Sequence, residues 1–481
     1  MDRTFDYVVI ALFLIGTALL GILSGGKQKS AKDYFLGAKS VPWWAVCFSI
    51  VAAETSTLTF ISIPGLAYLT NFNFLQVTFG YLIGRIIIAT FFLPAYFRGD
   101  LSTAYEFLER RFGVKTRSFA SIIFLFTRTA ADGVRLFATA IPLKLMLDIS
   151  YPLAIVIIAV FTLVYTYTGG VRGVIWVDVL LMFIYLGGAI IAGYFLLTQF
   201  LPNGMDTILS SDKIAQKLTV FNLGFEGGFS EFFKQPYTLL GGVLGGAFLS
   251  MASHGTDQLI VQRLLTTKNL RSAQKAIIGS GVLVIFQFAI FLFIGVALYA
   301  FYGEMDLRAD EIFPKFIIEH LPSPFSGIIV AGLFAAAMST LAGSISSLSS
   351  STMLDLYKPF MKNNNEKLEL RISRLVTVIW TVLLISMAIF FMNTSQTVVE
   401  LALSIASFTY GGLLGTFMLG LFVKNAIQED ALAGFTSGIF LMITVISLQL
   451  VGWTWFTFVG VMGTIFVGSF ISRLAFKKNR I

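Results

Sequence analysis

Residues 52–60 read AAETSTLTF, inside an otherwise apolar stretch from Trp43 to Leu69. One carboxylate, Glu54, and the hydroxyls of Thr55, Ser56, Thr57 and Thr59 interrupt a segment long enough to cross a bilayer, which takes about 20 residues as a helix. A charged group in lipid costs about 2.5–3.5 kcal/mol on insertion scales, so such a cluster asks for a partner, water or a ligand.

The rest of the chain sets the context. Of its 481 residues, 56% are hydrophobic and 12% charged, with mean hydropathy +0.83. Soluble domains carry about 25% charged residues. Apolar runs recur from Val8 to Phe470, and alternating ten-residue segments of a membrane barrel are absent. The expected fold is an all-α polytopic membrane protein of about thirteen transmembrane helices. The net charge of +8 is no polynucleotide groove: 24 of the 34 Lys and Arg follow odd-numbered spans. That bias puts the N-terminus outside and the C-terminus in the cytoplasm. The first apolar stretch is expected to be retained as a span. With Cys47 as the one cysteine, an intramolecular disulfide framework is excluded. Trp453 and Trp455, between the last two spans, suit an interfacial position.

Other polar residues fall inside expected spans. Arg128, Asp132 and Arg135 are spaced i, i+4, i+7 on one face of the fourth. Both arginines can reach Asp132, leaving one excess positive charge. That face is either a structural ion triad or a fork for a solute carboxylate. Residues 335–352 of the ninth span are dense in small and hydroxyl residues, which suits close helix packing and equally suits a cation. Ala336 and Thr340, four apart, present a carbonyl and a hydroxyl on one helical face. Arg85 in the third span needs a partner, and Glu54 is the nearest by topology.

Several stretches together resemble the sodium:solute symporter family: DYFLG at 33–37, SIPG at 62–65, YTYTGGVRGVIWVDV at 165–179, GTDQLIVQRLL at 255–265, AAAMST at 335–340 and LDLYK at 354–358. The resemblance implies a leucine-transporter-type five-plus-five inverted repeat, with the first helix of each half broken near the membrane centre. Residues 1–40 would be a peripheral span and loop, 41–201 the first repeat, 202–237 an outer loop with short amphipathic helices, 238–423 the second repeat, and 424–481 two peripheral spans and a tail. Pro64 and Gly255 fit the two breaks. The resemblance also implies one Na+ held by the carbonyls of Ala52, Thr55 and Ala336 and the hydroxyls of Ser339 and Thr340.

Some relatives hold a second Na+ with an aspartate, present here as Asp178, but the matching hydroxyl positions are Ala342 and Gly343. Asp178 is expected either to be an ion exit station or, preferably, to pair with Arg172. Glu54 flanks the sodium loop, and could act on the ion, on the solute or on an arginine. Position adds Ser56, Thr59, Phe74, Thr78, His254, Asp257 and Gln258 as solute-site candidates beside Arg128 and Arg135. Acid-transporting relatives use an arginine where this chain has Ala131.

The expected function is sodium-coupled symport of a small polar organic solute, a sugar, sugar acid, carboxylate or amino acid. Solute, Na+ and lipid are the expected partners, with no nucleic acid and no obligatory protein partner, in a plasma or inner membrane. A solute sensor, a channel and a proton-coupled carrier using Glu54 remain as alternatives. A membrane enzyme is disfavoured, because His254 and His320 fall on opposite membrane sides and no catalytic cluster is apparent.

Overall fold

The computed structural model describes residues 4–147, 149–225, 228–360, 365–393 and 398–478. Among these the chain is helical, with no β-strand and one isolated bridge between Val41 and Thr267. The inner connection expected at 358–367 falls partly outside them. The elements that build the site are α1 (Thr4–Ser24), α2 (Trp43–Glu54), α3 (Thr57–Leu69), α4 (Leu75–Ile87), α5 (Val114–Leu147), α6 (Tyr151–Phe195), α7 (Gly246–Gly255) and α8 (Gln258–Leu265). They continue with α9 (Leu270–Tyr302), α10 (Phe325–Ser351), α11 (Glu366–Phe390), α12 (Val398–Phe422), α13 (Gln428–Ser447) and α14 (Phe456–Lys478).

Among the described residues eight helical segments are long and apolar enough to cross a membrane, or nine with the bent pair α2–α3 as one span. The other expected crossings fall on α5, which carries three charges near its middle, on the interrupted pair α7–α8, and on α12, whose apolar part is the shorter Phe408–Phe422. The expected spans 151–168 and 174–201 run together in α6, but the backbone turns at Gly170 (φ 57, ψ −162). Only glycine suits that point: the φ is left-handed, and a Cβ there would lie 2.6 Å from the Tyr34 carbonyl oxygen.

The second span breaks at Thr55–Ser56, where Thr57 donates out of the segment to the Leu333 carbonyl at 3.2 Å. α2 ends at Glu54, Thr55 is extended (φ −84, ψ 104), and Ser56 takes the N-cap position of α3 with φ −92 and ψ 168. The two halves meet at 63°. Pro64 is not the break. It lies inside α3, where Ser62 donates to Asp310 at 2.6 Å and Gly65 abuts the Ala309 carbonyl. Proline removes one donor there without ending the helix. The α7–α8 break follows Gly255 as expected; Asp257 caps α8 by accepting from the Leu259 N–H at 2.9 Å, a preferred N-cap arrangement.

α10 is the central helix. Every residue from Ile329 to Ser351 except Ile328 and its outer neighbours' tips is buried, with α6, α5, α1 and α11 around it. Some of its serines satisfy themselves, as Ser349 donates to Ile345 O at 2.6 Å. Others reach across: Ser339 to Asp178, Ser344 to Asp132, and Ser351 to Ser121. The hydroxyl run is therefore polar glue as well as a close-packing surface. At the N-terminal end of α10, Asp6 of α1 accepts from Ser323, from Ser326 and from the Gly327 N–H at 2.8, 2.7 and 3.1 Å. α1 then crosses α6 with Gly25 against Gly169.

The 202–237 segment holds short helices, as expected, including Met205–Leu209 and Gly228–Lys234. Its Phe233 ring packs on Trp455 at 5.2 Å. Trp455 is thus buried under the segment. On the other side, Asp100 pairs with Lys39, whose hydrogen bond holds the carboxyl below the usual range. Arg111 donates to the carbonyls of Gly420, Val423, Lys424 and Ala426 at the end of α12.

Candidate functional site

Between the α2–α3 break and α10 lies a cavity of about 10 Å³, lined by Ala52, Thr55, Tyr185, Ala336 and Ser339 among others. That is room for about one water-sized body. Four of the five residues expected to meet Na+ thus come together. The fifth, Thr340, does not line the cavity; its hydroxyl donates to the Ala336 carbonyl at 3.1 Å. The Ser339 proton goes to Asp178 Oδ1 at 2.6 Å, which leaves the lone pairs of that oxygen free for another partner.

Asp178 does not pair with Arg172. It is fully buried in α6, accepts from Ser49 at 2.5 Å, and pairs with Arg263 at 3.1 Å. Arg263 had been counted among the topology-setting cytoplasmic charges. Instead every residue of α8 is buried, because this segment is the second half of a broken helix and packs inside the bundle.

Glu54 meets an arginine, the third of its three possible roles. The fully buried Arg85 of α4 donates to it and, at 2.8 Å, to Ser280. His254 completes the cluster. Ser253 gives its proton to the Leu249 carbonyl at 2.9 Å, so it accepts from His254 Nδ1 at 2.8 Å. Nε2 lies 3.1 Å from Arg85 and 3.4 Å from Glu54 Oε2.

The charges of α5 form the expected triad. Arg128 pairs with Asp132, and Arg135 reaches Asp132 at 3.3 Å. A fourth member alters the balance: Asp257 meets Arg128 at 3.2 Å and accepts from Tyr410 at 3.1 Å. Two arginines face two aspartates, so the excess positive charge expected on that face is cancelled. Arg128, Ala131, Arg135, Asp257 and Tyr410 line a second cavity, of about 20 Å³.

Three candidates point elsewhere. Thr78 donates to the Leu75 carbonyl of its own helix at 2.7 Å. Gln258 is buried between the Ala104 N–H and Ser350, at 2.8 and 3.1 Å. Phe74 stacks on Phe288 with ring centroids 5.1 Å apart. Ser56 and Thr59 are half-buried beside the break. Sequence reasoning missed Gln287, which donates to Thr55 Oγ1 at 2.7 Å. Its signal was available, as a single amide in the apolar run from Val282 to Tyr299. Tyr185, also missed, carries no such signal.

A many-helix membrane chain with two interrupted helices around small cavities is built as a carrier. The chain belongs to the sodium:solute symporter family, whose model matches residues 34–438. It is 29% identical to a sodium/sialic acid symporter of Aliivibrio fischeri, over 99% of this chain and 94% of that one. A sodium/sialic acid symporter of Proteus mirabilis is 28% identical over 96% and 93%. A Na+-coupled sialic acid symporter solved in a substrate-bound outward-open state superposes with a TM-score of 0.90 at 26% identity, covering 98% of both chains. These relatives are transporters, not enzymes.

Proposed function

We propose that this protein is a secondary active transporter that uses the Na+ gradient to move a small polar organic solute by alternating access. The observation that carries the reading is the cavity where the opened turn of α2–α3 meets α10. A sodium ion that sheds its water needs several hard oxygens. Here it would take the carbonyls of Ala52, Thr55 and Ala336 and the hydroxyls of Ser339 and Thr340. Thr340 donates its proton along α10, and its oxygen keeps lone pairs that can turn to the ion.

Ion binding at that seam would join two elements that separate in another state. A ligand shifts such an equilibrium only through unequal affinity for the two states, and this is how ion and solute become coupled. The thirteen spans, the two inverted halves at 41–201 and 238–423, and the outside N-terminus belong to the same proposal. The solute would lie beside Glu54, Ser56, Thr59 and His254, above the Arg128–Asp257 pair. Sialic acid, the solute named for the relatives, is a sugar acid. Ala131 and the cancelled charge of α5 give no preference for a carboxylate here, so sugars, sugar acids and amino acids all belong in the screen.

The test is uptake into liposomes with an inward Na+ gradient against that panel, repeated with Ser339→Ala. The variant is expected to stay folded and lose sodium-driven uptake. Undiminished sodium dependence would overturn the site.

A further inference from the structure

Threonine hydroxyls inside the helices of this bundle usually turn back on their own backbone. Thr162 and Thr166 of α6 each donate to the carbonyl four residues earlier, at 2.7 Å, and stay helical. Thr55 is arranged differently. Its backbone is extended, and its Oγ1 accepts from Gln287 Nε2 of α9 at 2.7 Å.

Gln287 is 1% exposed, and its Oε1 is buried with no partner among the described residues. An amide left half unpaired on an apolar helix costs stability, so the packing of α9 does not by itself account for it. Ser280 lies two turns earlier on the same face of α9. It accepts from Arg85, which also donates to Glu54. One face of α9 therefore holds the last residue of α2 and the first residue beyond it. On the other side of the turn, Thr57 is tied to Leu333 of α10, the helix that brings Ala336 and Ser339 to the cavity.

We propose that Gln287 is a positioning residue for cation binding: its hydrogen bond to Thr55 fixes the opened turn and so sets the affinity for Na+ without touching the ion. The proposal rests on the sodium site put forward above and adds what keeps that site in shape. Thr55 would serve twice, with its carbonyl toward the ion and its hydroxyl toward α9. Without the amide, that hydroxyl is free to turn back on the Val51 carbonyl, as its counterparts in α6 do, and the turn loses its fixed shape.

The test combines equilibrium binding of ²²Na+ to the purified full chain, without solute, and its melting temperature in K+. Gln287→Met removes the donor and the unpaired oxygen together. It is expected to weaken Na+ binding about tenfold, the usual scale for losing a group that orients a metal ligand, with a melting temperature in K+ that is unchanged or higher. An amide with a merely structural role would lower that temperature and leave the affinity of the folded chain alone. Thr55→Val keeps the carbonyl and loses the hydroxyl; it should show the same loss of affinity, and the double variant no further loss. Unchanged Na+ affinity in Gln287→Met, or additive losses in the double variant, overturns the proposal. Should Gln287→Met fail to fold, Thr55→Val decides: weakened Na+ binding supports the proposal and unchanged binding overturns it. Failure of the underlying site reads differently, since the natural protein would then bind no Na+, or Ser339→Ala would bind it undiminished.

Discussion

At Glu54 a carboxylate that looks like an ion or solute ligand is already engaged by Arg85. Breaking a buried pair by removing one partner strands the other charge, at about 3–5 kcal/mol. Glu54→Gln is therefore expected to lower the melting temperature of the purified protein clearly, while sodium affinity changes little. Adding Arg85→Gln should restore most of the loss. A sodium affinity that falls with unchanged stability would make Glu54 an ion ligand instead. This pairing was legible in the sequence, because a charge in the third span had a single acid near it in topology. The Asp178–Arg263 pair was not. Arg263 follows an apolar run in a basic stretch, and nothing in its local composition separates a cytoplasmic loop from a helix that turns back into the bundle.

The broken helices were legible to different degrees. The break falls at the consecutive hydroxyl residues Thr55–Thr57, whereas Pro64 drew attention and proved tolerable within α3. α8 lies along α10 with matched spacing. Gln258 meets Ser350, and Gln262 donates to Ser346 at 3.1 Å and to the Phe35 carbonyl at 2.9 Å. Each pair is four residues apart on its own helix, so one face of α8 reads one face of α10. Gln262→Leu keeps the volume but strands polar groups, at about 1–3 kcal/mol each. The expected result is a lower melting temperature than Ser346→Ala, which removes a single partner. Equal stability in both variants would mean that the two helices are held by packing alone.

For the molecule as a whole, charge asymmetry supplied an orientation and hydropathy the class of fold, while the pairing of interior charges needed three dimensions. Orientation can be checked with a membrane-impermeant maleimide. Lys213→Cys, exposed in the 202–237 segment, is expected to react in intact cells, and Lys424→Cys, exposed after α12, only after permeabilisation. The natural Cys47 is 4% exposed and should give little background. The reverse labelling pattern would invert the topology. Finally, the grip of Asp6 on the first turn of α10 bears on how the protein is handled in the laboratory. Trimming a few residues from the front of the chain, or fusing a bulky partner flush against them, would unfasten the helix that lines the ion cavity some 330 positions away. Affinity handles therefore belong at the far terminus, beyond α14.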